Sequence, residues 1–226
     1  MTEKQLERLL EKERKAAEKL EKERIRTEGL MVYERQYAEL GFLCGIDEVG
    51  RGPLAGPVCA AAVILPKDHP VLYLNDSKKL SEKKREELFE VLQKEAVSIG
   101  VAFESPEVID RINILQATYS AMRKAVAQLD PQPDCTLNDA VTIPGLAVRQ
   151  VPIIKGDAKS VSIAAASIIA KVTRDRLMEE YDAVYPQYHF AKNKGYGTAE
   201  HIAALREYGP CPIHRRSFIG HFCQDV

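Results

Sequence analysis

The feature that most constrains this chain is a pair of acids that leads into a glycine-rich turn and then into an unbroken apolar run. Gly45-Ile46-Asp47-Glu48-Val49 carries two adjacent carboxylates, Gly50-Arg51-Gly52-Pro53-Leu54-Ala55-Gly56-Pro57 follows, and Val58-Cys59-Ala60-Ala61-Ala62-Val63-Ile64-Leu65 is apolar throughout. A run of that length with no polar alternation suits a buried strand, so the acids sit in a strand-turn-strand connection close to a core. Asp and Gly are also the ordinary material of turns. Burial separates this turn from an ordinary one, because carboxylates without a partner are costly near a core and a bound cation supplies the partner. Gly50 and Gly52 clear side chains from the backbone, so that a ligand can approach its N–H groups. The combination implies a metal-dependent site for phosphate chemistry.

The rest of the chain alternates strand and helix signals. Residues 2–39 are dense in Glu, Lys and Arg, with Leu6, Leu10, Ala17 and Leu20 at three- and four-residue steps. This predicts one or two helices with a narrow apolar stripe, packed against their own domain in preference to forming a coiled coil, since Glu13 and Arg24 break the heptads. The arm contains no candidate metal ligand and is expected to be dispensable for chemistry. Ser81 caps a helix running to about residue 96, with Leu88, Val91 and Leu92 inward, and residues 97–103 read as a short strand. Ser105-Pro106 opens a further helical region whose apolar face is Ile112, Leu115, Tyr119, Met122, Val126 and Leu129. Residues 135–137 and 148–154 read as strands, each followed by an acid, and a long helix from about residue 162 to 183 carries Ala164-Ala165-Ala166, small enough to pack tightly on a sheet. The Gly- and Pro-rich tail after Tyr185 reads as a small helix-and-loop lobe. Strands alternating with helices predict an α/β fold, a mixed β-sheet flanked by helices.

Length and composition fit one main domain: 226 residues with an apolar share of 45%. Net charge is −1, so the overall balance does not announce a nucleic-acid binder, although basic residues outnumber acidic ones from Val141 onward. Cys44, Cys59, Cys135, Cys211 and Cys223 are scattered, odd in number and lack a Cys-x-x-Cys pair. Neither a disulfide framework nor a zinc site is indicated, which points to a reducing compartment. The N-terminus is too charged for a signal peptide, and no apolar run approaches the ~18 residues of a membrane span. A cytoplasmic protein with no membrane partner is expected.

Phosphodiester hydrolysis requires charge to be neutralised on the attacking, leaving and equatorial oxygens together, which two divalent ions about 3.5–4 Å apart can do if several carboxylates hold them. The candidates are Asp47, Glu48, Asp139 and Asp157, all at strand ends or in adjoining turns. Adjacent strand residues point to opposite faces, so Asp47 and Glu48 share one ion only if the strand is already breaking into its turn. Glu48 otherwise contributes its backbone carbonyl or holds a second metal. Asp134 is a rival for the role of Asp139, although it precedes the apolar strand instead of ending it. Asp175 lies well inside the long helix and reads as an ion-pairing surface residue.

Several motifs in one order carry a family resemblance. Residues 45–65, Asp76-Ser77-Lys78-Lys79-Leu80-Ser81, Lys155-Gly156-Asp157, the run from Ile163 to Asp175, Lys194-Gly195-Tyr196-Gly197-Thr198 and His214-Arg215-Arg216-Ser217-Phe218 together resemble bacterial ribonuclease HII, the type 2 ribonuclease H. The likeness spans roughly residues 41–218. It implies a ribonuclease H-like catalytic domain over residues 41–185, a charged helical extension over 1–40 and a C-terminal lobe over 186–226 that completes the substrate site. It assigns the same four acids to Mg²⁺ or Mn²⁺, two ions with substrate bound. It implies an endonuclease, acting as a monomer in ribonucleotide excision repair, that hydrolyses the RNA strand of RNA–DNA hybrids. Single ribonucleotides in duplex DNA would be nicked on the 5′ side, leaving 3′-hydroxyl and 5′-phosphate ends. The third motif departs from the family's usual Val-Asp-Gly-Asn, reading Asn138-Asp139-Ala140-Val141, and Asn193 replaces the usual His of the tyrosine loop.

Recognition then turns on one 2′-hydroxyl. The backbone of Gly50, Arg51 and Gly52 is placed to grip it, as the resemblance implies, and Tyr196 on its glycine-flanked loop packs on the neighbouring nucleotide. Lys78, Lys194 and Arg215 are candidate phosphate contacts, which position without reading sequence. Three alternatives stand beside this reading: a ribonuclease HIII, disfavoured because that family has a further N-terminal platform domain, a hybrid-binding protein without catalysis, and an interaction protein built on the arm.

Overall fold

The strand runs assemble into a five-stranded mixed sheet, seen in a computed structural model that describes residues 3–67 and 70–222. Strands β1 (Leu43–Val49), β2 (Val58–Ile64), β3 (Ser98–Glu104), β4 (Cys135–Asp139) and β5 (Arg149–Ile153) lie in the order β3-β2-β1-β4-β5. The first three form an antiparallel meander, while β4 runs parallel to β1 and β5 parallel to β4. The helices are α1 (Glu3–Leu30), α2 (Val32–Gln36), α3 (Glu82–Glu95), α4 (Pro106–Ile112), α5 (Ile114–Val126), α6 (Val161–Val184), α7 (Phe190–Asn193), α8 (Ala199–Tyr208) and α9 (Arg216–Ile219).

Side-chain alternation along β2 divides the core in two. Cys59, Ala61 and Val63 face α3 and α6, whereas Ala60, Ala62 and Ile64 join Cys44 and Ile46 of β1 against α5. Residues 164–166 of α6 are fully buried, and the helix lies directly on β1 at Gly45, where a Cβ would fall 2.0 Å from the Ser162 backbone carbon. This contact needs small residues on both sides, and it brings the start of α6 to the sheet.

Some local expectations are corrected. The helical region after Ser105 is two helices, because Asn113 adopts φ 67° and its side chain accepts from Gln116 N to cap α5. The buried face of α5 is Ala117, Ala121, Met122, Ala125 and Val126, with Leu115 exposed. On α3 the inward positions are Leu88, Phe89 and Leu92, while Val91 faces out.

The arm behaves as two parts. Residues 4–22 of α1 are exposed, Leu6, Leu9, Leu10 and Leu20 among them, so this half does not pack on its own domain as expected. From Glu23 onward it docks: Glu23 accepts from Tyr73 N, Arg26 donates to the Leu74 carbonyl, and Thr27 is buried. On α2, Glu34 accepts from the Ser160 hydroxyl and from Ser162 N, capping the start of α6. The body therefore begins structurally near residue 23, not at 41. Among the described residues Cys44, Cys59, Cys135 and Cys211 are free and buried; Cys223 lies outside the described residues. No helix among them is long and apolar enough to cross a membrane.

Candidate active site

Parallel pairing brings the acids together. Ile46 of β1 is in register with Asn138 of β4, so the next residues, Asp47 and Asp139, sit side by side at the strand ends. Both point to the α6 face, since Gly45 and Leu137, two residues earlier, meet Ser162 and Ile163 there. Asp157 arrives from the turn after β5: Gly156 N donates to Asp139 Oδ1 at 2.7 Å, and a Cβ on Gly156 would stand 2.5 Å from Ile163 Cδ1 and 3.4 Å from that oxygen. Glycine is what lets this turn close on β4. Asp134 lies at the opposite end of the strand, where its Oδ2 accepts from Phe42 N, and so drops out as a rival.

β1 remains regular through Val49, and Glu48 pairs with Ala60, a residue of the α5 face. Glu48 thus stands on the other side of the strand from Asp47, as alternation requires. Its Oε1 accepts from Arg51 at 3.2 Å, and its Oε2 is buried with no partner.

Asp47 is 7% exposed. Burial first, then the charge of Glu48, pushes its carboxyl well above the usual range, with Asp139 adding to it and a hydrogen bond to Ser167 opposing. Burial also raises Glu48, against the pull of Arg51. Asp157 is raised by burial and then by Asp76 and Asp139. A set of mutually repelling, partly desolvated carboxylates is the electrostatic inverse of a hard cation. Among the described residues no three His, Cys, Asp or Glu side chains converge closely enough to hold a metal ion unaided. The donors nonetheless fit one by their all-oxygen chemistry and by the unpartnered Glu48 oxygen.

The glycine turn is built from below by two buried arginines. Arg174, from α6, donates to the carbonyls of Pro57, Ala55 and Lys194; Arg215 donates to those of Gly56, Arg51 and Gly50. Both are 0% exposed. The expected phosphate contact of Arg215 is therefore corrected, because its guanidinium is buried and donates three bonds to the turn. Burial, then Arg174, lowers Arg215 to about 9. Further bonds, Leu54 N to Gly195 O and Gly56 N to Ile213 O, weld the C-terminal lobe to the turn, so that lobe is continuous with the site. Gly50 has φ +87°, and a Cβ there would lie 2.2 Å from Arg174 Nε.

Tyr196 is 42% exposed and adjoins Gly52, on which a Cβ would stand 3.8 Å from Tyr196 Cε1. Asn193 pins this loop, accepting from Gly195 N and donating to Tyr188 O. Lys194 is turned away from phosphate duty: its ammonium pairs with Glu179 at 2.6 Å. Lys78 is exposed beside the acids and lowers the pKa of both Glu48 and Asp157. Asp175 is an ion-pairing residue, with Lys171 at 2.8 Å, though buried and not on the surface.

Sequence reading missed Arg174, Asp76 and the Ser77–Ser167 hydroxyl pair, 2.8 Å apart. Arg174 had a signal: it is four residues from both Ala170 and Met178 on the apolar face of α6, an odd place for a solvated cation. Asp76 stood in the sequence only as the first residue of the Asp76–Ser81 motif, and its approach to Asp157 depends on a distant turn.

Two solved structures similar in fold point to the class, the type 2 ribonucleases H. Ribonuclease H2 from Pyrococcus horikoshii OT3 matches with a TM-score of 0.65 and 27% identity over 78% of this chain and 93% of that one. RNase HII of Archaeoglobus fulgidus, in a complex with PCNA, matches with a TM-score of 0.68 and 26% identity over 81% and 98%. The family model for Ribonuclease HII matches residues 44–221, and Ribonuclease HII of Lachnoclostridium phytofermentans is 62% identical over 214 residues, 95% of this chain and 84% of that one. The chain belongs to the ribonuclease HII family.

Proposed function

We propose that Asp47, Glu48, Asp139 and Asp157 hold divalent metal, Mg²⁺ or Mn²⁺, and that the chain nicks duplex DNA on the 5′ side of a single ribonucleotide, besides cleaving the RNA of hybrids. Ribonuclease H activity follows from the family; metal, cleavage position and residue roles are what we infer beyond it. Two ions, with substrate bound, supply charge neutralisation on the attacking, leaving and equatorial phosphate oxygens. The protein's own groups position the strand. The turn Gly50-Arg51-Gly52, exposed at Arg51 and Gly52 and held from below at the Gly50 and Arg51 carbonyls by Arg215, meets the 2′-hydroxyl, and Lys78 meets a phosphate at the rim. Tyr196 packs on the nucleotide beside the ribonucleotide and so sets the scissile phosphate against the carboxylates.

The observation that carries this reading is the placement of an exposed tyrosine ring against Gly52, in the turn that follows Asp47 and Glu48. Stacking contributes on the order of 1–3 kcal/mol, so Tyr196→Ala should lose roughly ten- to a hundredfold in nicking. The loss should be greater at a single embedded ribonucleotide than on a long hybrid. Kinetics on both substrates, with and without metal, test it: an equal loss on the two would reduce Tyr196 to a general binding residue, and a protein that binds but never nicks would remove the catalytic reading.

A further inference from the structure

Behind Tyr196, two histidines form a hydrogen-bonded chain that admits one arrangement of protons. His201 and His214 are buried among the rings of Tyr188 and Phe190. Their Nε2 atoms are 3.0 Å apart, so one donates and the other accepts. Cys211 N–H donates to His214 Nδ1 at 3.0 Å, which makes that nitrogen an acceptor and leaves the His214 proton on Nε2. His201 Nδ1 lies 2.8 Å from the Tyr196 carbonyl oxygen, which only accepts. His201 therefore carries its proton on Nδ1 and presents a bare Nε2 to His214. Each ring nitrogen is then satisfied, and the chain runs in one direction from Cys211 N–H to the Tyr196 carbonyl.

The chain requires both rings to be neutral. A second proton on His201 would face the Nε2–H of His214, and a second proton on His214 would face the Cys211 N–H. Burial keeps them neutral: it lowers both pKa values, and with the charge of His201 it takes His214 to about 4. The other titratable or charged groups around the pair are the Cys211 thiol, 3.1 Å from His214 Nδ1, the Tyr188 hydroxyl, which donates to the Gly209 carbonyl, and Arg216, whose charge opposes protonation of His214.

We propose that His214 and His201 are positioning residues for the reaction: a neutral imidazole relay that fixes the Tyr196 backbone and so holds the ring at the junction between ribonucleotide and DNA. This rests on the role of Tyr196 given above. Removing the His201 donor leaves the Tyr196 carbonyl its local bond from Thr198 N but cuts its tie to the buried histidine pair, while leaving the carboxylates and the arginine-held turn in place. The effect should fall on the ratio between substrates.

Long-range ¹H–¹⁵N correlation of the imidazoles in the wild-type protein at neutral pH should show His201 protonated on Nδ1 and His214 on Nε2; the opposite tautomers would overturn the relay. His201→Leu should slow nicking at a single ribonucleotide roughly five- to tenfold, and cleavage of a long hybrid less. His201→Asn, whose amide N–H takes the place of Nδ1–H, should recover most of the rate. In a Tyr196→Ala background His201→Leu should have no further effect on the ratio. A ratio sensitive to Tyr196→Ala but indifferent to His201→Leu overturns the relay alone, whereas indifference to Tyr196→Ala overturns the reading beneath it. The tautomer measurement requires no variant, so a poorly folding His201→Leu leaves the proposal open to refutation.

Discussion

At the residue scale, the site opposes two kinds of buried charge, carboxylates at the sheet edge and arginines under the glycine turn. Asp139→Asn removes a charge facing the metal while keeping the oxygen that accepts from Gly156 N. Several kcal/mol of transition-state stabilisation would go with it, a fall of roughly three orders of magnitude in rate. Circular dichroism and single-turnover nicking should show an intact fold and that loss. Arg215→Met should act differently, because it strands the buried carbonyls of Gly56 and Gly50 and releases the part-buried one of Arg51. Each unpaired buried acceptor costs about 1–3 kcal/mol, so denaturant unfolding should register a loss of at least about 2 kcal/mol. A phosphate-binding arginine would instead leave stability unchanged and weaken binding in a salt-dependent way.

At the element scale, the arm divides where its contacts begin. Glu23 and Arg26 tie α1 to the backbone at Tyr73 and Leu74, the residues that lead into Asp76 and Lys78. Glu34 caps α6 immediately after the turn that carries Asp157. The docked half of the arm is thus a brace for two of the loops around the acids, and only the first half, which makes no such contacts, is now expected to be dispensable for chemistry. Deleting residues 1–21 should leave melting temperature and nicking rate close to those of the full chain. Deleting residues 1–40 removes the Glu34 cap, about 1 kcal/mol or more by itself, together with the docked turns, and should lower both. Equal behaviour of the two truncations would show that the docked half braces nothing. A further element depends on Gly45: Gly45→Ala would push α6 off β1, since the new Cβ meets helix backbone and not a movable side chain, and should cost about 1–3 kcal/mol.

At the scale of the whole molecule, the uncompensated acids tie stability to pH and to metal. Asp47, Glu48 and Asp157 have carboxyl pKa values raised in the fold, chiefly by burial. A raised carboxyl pKa means that the folded state holds its protons more tightly than the unfolded chain. The metal-free protein therefore loses stability once pH passes the unfolded carboxyl range near 4, and the loss is complete only above the raised values. A divalent cation would cancel the repulsion, so the increase in melting temperature on adding Mg²⁺ or Mn²⁺ should grow as pH rises above the unfolded carboxyl range near 4. In Asp47→Asn that growth should shrink. An increment independent of pH would place the metal elsewhere.

The sequence by itself determined the strands, the long helix and the residue types of the site, because these are local properties. The continuous apolar run at 58–65 and the Cys135-Thr136-Leu137 segment specify buried strands, Ser81 and Ser105 specify helix starts, and acids at or near strand ends single out the candidate site. The division of the helix at Asn113 escaped it, since a positive φ at a non-glycine residue is settled by surrounding packing. Only the tertiary structure decided which acids meet, through the parallel register of β1 with β4 and the closure of Gly156 on Asp139. Only it reassigned Arg215 from phosphate to backbone, placed Arg174 under the glycine turn and set the His201–His214 pair behind the Tyr196 carbonyl. The reason is physical: whether a charged or polar side chain faces water or the interior depends on surfaces that distant segments bring to it, and a single chain read in order carries no record of those surfaces.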